Sequence, residues 1–243
     1  MNIGNFEEYG SLVSDNGRYK VKAREDHFDL LPIGFDAREI LEFGCADGTN
    51  LCYFGLKFGL SKDKLIGVDI VRSSALRADE VTFVHSSAEN FIKLSSTGVD
   101  LILLSDVLEH LYNPWKFLSS IRSWLNPGGR LLISVPNLRN LYYVKSVISG
   151  NFIFQDSGFF DQTHIRFFSK KTLCGYLIAL GYRISNISYR PDQSLLPLRN
   201  QLQSAPSNDG SFAIEFGEAL LKIPKAATDA YFGQQVLVAA TPN

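Results

Sequence analysis

The feature that most constrains this chain is an alternation: short apolar runs of strand character are separated repeatedly by segments with helical spacing. The runs are REILEFG (38–44), KLIGVDI (64–70), VTFVHS (81–86), VDLILLSD (99–106), GGRLLISVPN (128–137), YRISNISYR (182–190) and QQVLVAAT (234–241). Between them RYKVKAREDHFDLL, TNLCYFGLKFGL, PWKFLSSIRSWL, LRNLYYVKSVI and SKKTLCGYLIAL place apolar residues along one helix face. Pro114 and Ser169 stand where first-turn and N-cap residues belong. Strands alternating with helices predict an α/β fold, a doubly wound seven-stranded sheet with helices on both faces. The sheet is expected to be mostly parallel, with an antiparallel last strand.

At 243 residues the chain reads as one domain, since a split would leave two small pieces with no obvious linker between them. Within 1–243 the first 36 residues read as an N-terminal helical cover, and 137–173 and 191–232 as insertions on the substrate side. Residues 191–211, PDQSLLPLRNQLQSAPSNDGS, are rich in turn formers and predict a mobile excursion. With 24 basic against 25 acidic residues there is no charge surplus to grip nucleic acid or an anionic membrane. No apolar run approaches the roughly 18–20 residues that span a bilayer. Cys45, Cys52 and Cys174 lack metal spacing and predict free thiols in a reducing, cytoplasmic setting.

The first strand leads into the turn Glu42-x-Gly44-x-Ala46-x-Gly48. In an open α/β sheet, ligands sit beyond the carboxyl ends of the strands, and small residues in the first turn let them approach the backbone. A dinucleotide site would want G-x-G-x-x-G and amides free for a pyrophosphate. The carboxylates Glu42 and Asp47 would instead repel a pyrophosphate and suit a ligand with an ammonium group and a sulfonium. Asp69 ends the second strand, where an acid can accept both hydroxyl hydrogens of a ribose. The expected ligand is therefore a cationic nucleoside. The one methyl of Ala46 is tolerable in this turn if its backbone stays at negative φ.

These residues resemble the class I S-adenosylmethionine-dependent methyltransferases, over nearly the whole chain. LEFGCADG looks like their first motif, GVDI their second, SSAENF the acidic segment near the adenine, and DLILLSDVLEHL the strand ending beneath the methyl group. LNPGGRLLISVPN looks like the turn and strand that follow. The resemblance implies a Rossmann-like fold with S-adenosyl-L-methionine as cofactor. It implies that Glu42, Gly44, Cys45, Asp47 and Gly48 line the methionine part, Asp69 and Ile70 the ribose and adenine, and Ala88 and Glu89 the adenine edge. Ser105 and Asp106 would lie beside the sulfonium. GRYKVKARED looks like the Tyr and Arg preceding the first strand in this group: Tyr19 would close over the cofactor, and Arg24 reads either as a surface or a salt-bridge residue.

Asp106, Glu109 and His110 recur at i, i+3 and i+4, one face of a helical turn. The cluster resembles the D/E-x-x-E-H of ubiquinone-type O-methyltransferases, where metal binding is implied. The preferred reading here has no metal, with Glu109 and His110 hydrogen-bonded to nearby helices and the cofactor; a metal would need a third carboxylate or imidazole from elsewhere. Within 137–173, DQTHIRFFS (161–169) sets Asp161, His164 and Arg166 among apolar residues, where polar groups need partners. It resembles the D-x-T-H-x-R-F-F segment of bacterial methyltransferases associated with sugar and surface-polysaccharide modification. His164 fits both a substrate-facing and a structural role.

A sulfonium methyl is already activated, so the protein mainly aligns an acceptor and excludes water. A hydroxyl acceptor must also lose a proton, for which a histidine titrating near neutrality is efficient. His164 is expected to be that base, oriented by Asp161, with His110 in reserve. The acceptor expected first is a small-molecule or glycan hydroxyl, by resemblance, ahead of a quinone-like phenol or a carboxylate. A noncatalytic cofactor-binding scaffold is the alternative from another class. A nucleic-acid partner is not expected, because SDVLEH stands where an amino methyltransferase would carry an Asn- or Asp-Pro-Pro-aromatic stretch.

Overall fold

The computed structural model describes residues 23–73, 75–91, 98–207, 209–216 and 219–243. Tyr19 lies outside the described residues.

Nine strands are present among them. In chain order these are β1 (Ile40–Phe43), β2 (Leu65–Asp69), β3 (Thr82–His85), β4 (Val99–Ser105), β5 (Leu125–Pro136), β6 (Tyr182–Pro191), β7 (Ser211–Phe216), β8 (Ala219–Pro224) and β9 (Gly233–Pro242). Seven form one sheet in the order β3-β2-β1-β4-β5-β9-β6, in which β1 to β5 pair in parallel and β9 runs antiparallel to both neighbours. All seven expected strands are there. β5 starts earlier than expected, taking in the Pro-Gly-Gly turn through a register shift opposite Val99 and Leu101.

The helices are α1 (Glu25–Phe28), α2 (Thr49–Phe58), α3 (Pro114–Arg122), α4 (Leu141–Ile148), α5 (Lys170–Ala179), α6 (Leu196–Ser204) and α7 (Thr228–Phe232). Pro114 opens α3 behind the N-cap Asn113, whose side chain accepts from the Lys116 N–H. Ser169 caps α5 in a reciprocal pair with Thr172. Of the helical pattern expected over 18–31, only Glu25–Phe28 is helical among the described residues.

Side chains alternate across the sheet, so each strand feeds two cores. Leu41, Phe43, Ile102, Leu104, Leu131 and Ile133 face α3 and α5, where Phe117, Leu118, Leu173 and Leu177 meet them. Ile40, Leu101, Leu103 and Leu132 face the other way, against Leu51, Cys52 and Phe54 of α2. Each buried large side chain contributes roughly 1.5–3 kcal/mol. The parity also puts Glu42 on the α2 face with Ile40. All three thiols are unpaired.

The described residues of 191–211 carry more regular structure than their composition predicts. A 3-10 turn at Gln193–Leu195 runs into α6, and the β7-β8 hairpin follows. A satellite core of Leu141, Leu195, Phe212, Ile223 and Phe232 holds them. Asp192 caps the turn by accepting from the Ser194 N–H at 3.1 Å. Tertiary packing of a few scattered apolar residues overrides the turn-forming composition. No helix among the described residues is long and apolar enough to cross a membrane.

Candidate functional site

The β1 turn is built from left-handed backbone: Gly44 at φ +67°, Ala46 at +48° and Gly48 at +82°. A Cβ on Gly44 would meet Val107 Cγ2 at 2.9 Å, so bulk is excluded as well as conformation. Ala46 does not meet the condition of a negative φ. A non-glycine residue there costs about 1–2 kcal/mol, offset by its N–H donating to Asp69 Oδ2 at 2.8 Å. Asp69 Oδ1 accepts from the Val71 N–H at 2.8 Å. Each oxygen keeps a further lone pair, enough for two ribose hydroxyls. Burial pushes the Asp69 carboxyl up, against its backbone hydrogen bonds.

Glu42 is 1% exposed, with Oε1 accepting from Asn50 Nδ2 at 2.7 Å on the first turn of α2. Its Oε2 has no partner among the described residues. Burial raises this carboxyl to about 8, outweighing the Asn50 bond and the Arg24 charge. An orphaned, buried carboxylate oxygen fits a ligand that brings an ammonium group. Asp47 accepts from the Thr49 N–H at 2.9 Å at the start of α2. Cys45 corrects the expectation in part: its thiol is buried against Gly67, and only its backbone belongs to the turn. The Ile70 carbonyl accepts from His85 Nε2 at 2.8 Å. Ala88 is half-buried against the core, and Glu89 accepts from the Asn113 N–H at 2.9 Å, tying this edge to the cap of α3.

Beyond β4, Ser105 Oγ lies 3.4 Å from His27 Nδ1, and Asp106 has φ +56°. The Asp106 carboxylate accepts from Ser134 Oγ at 2.9 Å, from Gln235 Nε2 at 2.7 and 2.6 Å, and from Arg24 Nη1 at 3.3 Å. Arg24 is a buried salt-bridge residue, also bonded to Asp26, Ser134 and Gln235. Its backbone N–H donates to Asn50 Oδ1 at 2.9 Å, so one chain of hydrogen bonds runs from Asp106 through Arg24 and Asn50 to Glu42. Sequence reasoning missed Asn50, His27 and Gln235. The two glutamines opening the apolar run QQVLVAAT were the available signal.

The helical face expected for Asp106, Glu109 and His110 shrinks to a 3-10 turn at Leu108–His110. Asp106 spends its carboxylate on the network above. Residues 161–168 arrive instead: the Ile165 and Arg166 N–H groups donate to the Glu109 carbonyl, and Leu138 N–H to the Phe168 carbonyl. His110 and His164 sit edge to face with ring centres 4.8 Å apart. His110 Nδ1 lies 3.0 Å from Thr163 Oγ1 and 3.2 Å from the Thr163 carbonyl. Thr163 Oγ1 donates to Asp161 Oδ1 at 2.6 Å, and His164 Nδ1 lies 3.3 Å from the Phe159 carbonyl. A carbonyl only accepts, so both rings carry hydrogen on Nδ1 and present bare Nε2 atoms. Asp161 thus reaches His110 through Thr163.

The expected near-neutral histidine is corrected. Burial, followed by the neighbouring His164, lowers His110 to about 4, and burial lowers His164 despite the Asp161 charge. Burial and then Asp106 raise Glu109 well above the carboxylate range. Glu109, His110 and His164 each bring one ligand atom within 4.8 Å of the others, a donor set able to hold a cation. Around them Tyr143, whose hydroxyl donates to the Phe159 carbonyl, meets the rings of Phe159 and Phe160 at 5.2 and 5.0 Å. Of the aromatics in 137–173 only Tyr143 and Phe168 are buried, while Tyr142, Phe154 and Phe167 stay exposed.

A family model described as a methyltransferase domain matches residues 17–186. A ubiquinone biosynthesis O-methyltransferase of Aeromonas salmonicida is 23% identical over 191 residues, 75% of this chain and 77% of the relative. Of two further ubiquinone-type relatives the chain spans 52% and 47%. A tRNA 5-carboxymethoxyuridine methyltransferase of Escherichia coli is 33% identical over 81 residues, 33% of this chain and 31% of the relative. The crystal structure of a SAM-dependent methyltransferase from Archaeoglobus fulgidus superimposes with a TM-score of 0.59 at 21% identity, covering 98% of this chain and 94% of that one.

Proposed function

The chain belongs to the methyltransferase-domain family, with S-adenosylmethionine as cofactor, and from that premise we propose that it methylates a hydroxyl oxygen of a small molecule or glycan. The observation that carries the oxygen acceptor is the pair of imidazoles past the β4 end, each with Nδ1 engaged and Nε2 bare.

The cofactor half aligns the electrophile. Glu42 Oε2 receives the ammonium, Asp69 the ribose hydroxyls, and the open backbone of Gly44 and Gly48 lets the methionine part close on the turn. Ile70, Ala88 and Glu89 would flank the adenine. Ser105 and Asp106 would face the sulfonium, with Arg24, Ser134 and Gln235 fixing the Asp106 carboxylate. When bound, the cofactor would supply an activated methyl group, and the protein's part would be to hold the acceptor oxygen in line with it. Orientation and exclusion of water supply most of the acceleration. The acceptor's proton would go to Nε2 of His164, which the Phe159 carbonyl, rather than the expected Asp161, orients through Nδ1; an imidazole neutral at pH 7 has its lone pair ready.

A sugar hydroxyl is the first acceptor to test, supported by the resemblance of DQTHIRFF, and a quinone-like phenol the second, supported by the ubiquinone-type relatives. The balanced charge favours a small acceptor over tRNA, whose methyltransferase is alike over a third of the chain only. The test is S-adenosylhomocysteine release with nucleotide sugars, polyhydric phenols and tRNA as acceptors. Release with a sugar or phenol supports the reading. Release with tRNA alone, or micromolar cofactor binding with no turnover across the panel, overturns it, the latter in favour of a scaffold.

A further inference from the structure

More than half of the large apolar side chains left exposed among the described residues lie between Leu138 and Phe167. Val147 and Ile153 are 64% exposed and Phe154 is 55% exposed. The rings of this stretch join into one layer. Phe152 meets Phe154 at 5.6 Å and Phe167 at 5.9 Å, and both Phe152 and Phe167 lie 6.1 Å from the buried Tyr143 ring. Tyr142 joins through Phe159 at 6.3 Å. A contiguous apolar patch of more than a few hundred Å2 marks an interaction surface, because water against it is costly.

Size and charge say what covers it. Tyr142, Val147, Ile148, Ile153, Phe154 and Phe167 are 39–64% exposed and offer on the order of 500 Å2 of surface. With a polar rim this approaches the roughly 800 Å2 per partner of a stable protein interface, whose middle is rich in aromatics and poor in charge. From Leu141 to Gln162 the exposed charges are one cation, Lys145, and one anion, Asp156, which bracket the Val147–Phe154 run in the chain. An anionic bilayer would ask instead for a cluster of Lys and Arg. The neighbouring arginines are engaged elsewhere, Arg139 over the Tyr231 ring at 4.3 Å and Arg166 with the Tyr112 ring and carbonyl, while Lys170 and Lys171 open α5 beyond the buried Phe168. A two-fold interface joins a patch to itself, so one opposite pair flanking an apolar middle suits it: Lys145 of each copy meets Asp156 of the other.

We propose that this face is the interface of a homodimer, with a second copy of the chain seated across the aromatic layer. It abuts the acceptor half, since the Tyr143 hydroxyl donates to the Phe159 carbonyl that also holds His164 Nδ1. Association is read without cofactor or acceptor, so its failure leaves the proposed function untouched.

The test is the mass of the full chain by sedimentation equilibrium over a range of concentrations. Wild type forms a dimer. Phe154→Asp sets a charge into the apolar middle from both copies and weakens association more than about 100-fold. Lys145→Glu weakens it about tenfold, and Asp156→Lys added to that variant restores it by exchanging the pair. All three positions are exposed, so the variants keep the fold, which far-UV circular dichroism verifies. A monomeric wild type overturns the proposal, as does a dimer that Phe154→Asp leaves intact or a charge exchange that fails to restore association. Hydrogen exchange of wild type decides independently: amides of 147–156 that slow as concentration rises support the interface, and unchanged exchange there overturns it. Monomeric protein that binds phosphatidylglycerol vesicles, and loses them in Phe154→Asp, overturns it in favour of a bilayer.

Discussion

The two halves of the site are built by opposite means. The cofactor half is contiguous and made largely of backbone: Gly44, Ala46 and Gly48 shape it within five positions, and Asp69 reaches it from the adjacent strand. The acceptor half is made of side chains from a 3-10 turn and a distant loop, joined through Glu109, Thr163 and Phe159. A turn of backbone is specified by its own residues, whereas a cluster of side chains exists only once the chain has folded. The first tolerates little bulk, and the second little loss of a hydrogen-bond partner.

Substitutions separate the halves, and the largest effect is expected at Gly44. Gly44→Ala combines a left-handed backbone with a Cβ pressed to 2.9 Å from Val107, costing about 2–4 kcal/mol; thermal unfolding reads this directly, and wild-type stability would refute the steric account. His164→Gln should lower turnover by about 100-fold or more while leaving S-adenosylmethionine affinity near wild type. Equal losses in both would mean that the halves are not separable. Asp69→Ala should weaken cofactor binding at least about tenfold, roughly 1.4 kcal/mol, because it removes the ribose contact and the anchor of the Ala46 N–H.

The fourth expectation concerns pH. With Glu42 raised to about 8, the carboxylate proposed to receive the ammonium is formed only as pH climbs. Cofactor affinity should increase about tenfold between pH 7 and 9, following the ionised fraction, and Glu42→Gln should flatten that profile. The sign for stability is opposite. Because the folded value lies above the unfolded one, the contribution of the protonated carboxyl is complete below the ordinary glutamate range and is lost as pH rises through about 8. A melting temperature of the cofactor-free protein that rises with pH over that window would contradict the burial of an uncompensated Glu42. The smallest effect is expected at Ala46→Gly, where relief of the left-handed strain outweighs added chain entropy by about 0.5–1 kcal/mol. A decrease in stability would show that the added chain entropy of glycine outweighs the relief of left-handed strain.

Much of the fold was legible in the chain because its causes are local. Seven apolar runs at strand length alternate with helical periods, Ser169 and Pro114 mark helix starts, and the parity of Ile40 and Glu42 already assigns them to one face. The turn and its two acids were legible for the same reason: Gly44, Gly48, Glu42 and Asp69 follow the ends of strands. Other features depend on groups remote in the chain. The φ of Ala46 is set by a hydrogen bond from across the strand pair, the role of Arg24 by Asp106 and Gln235, and the low basicity of His110 by burial against His164. The order in 191–211 comes from Leu141 and Phe232, which lie far from it in sequence.

By itself the sequence determined a doubly wound sheet and a glycine-punctuated turn flanked by two strand-end acids, since periodicity and glycine placement act over a few residues. Only the tertiary structure decided that Asp106 parts company with Glu109 and His110 and that His164 joins them. Strand pairing and loop packing brought those side chains together, and burial, which no local pattern carries, left their lone pairs facing one another.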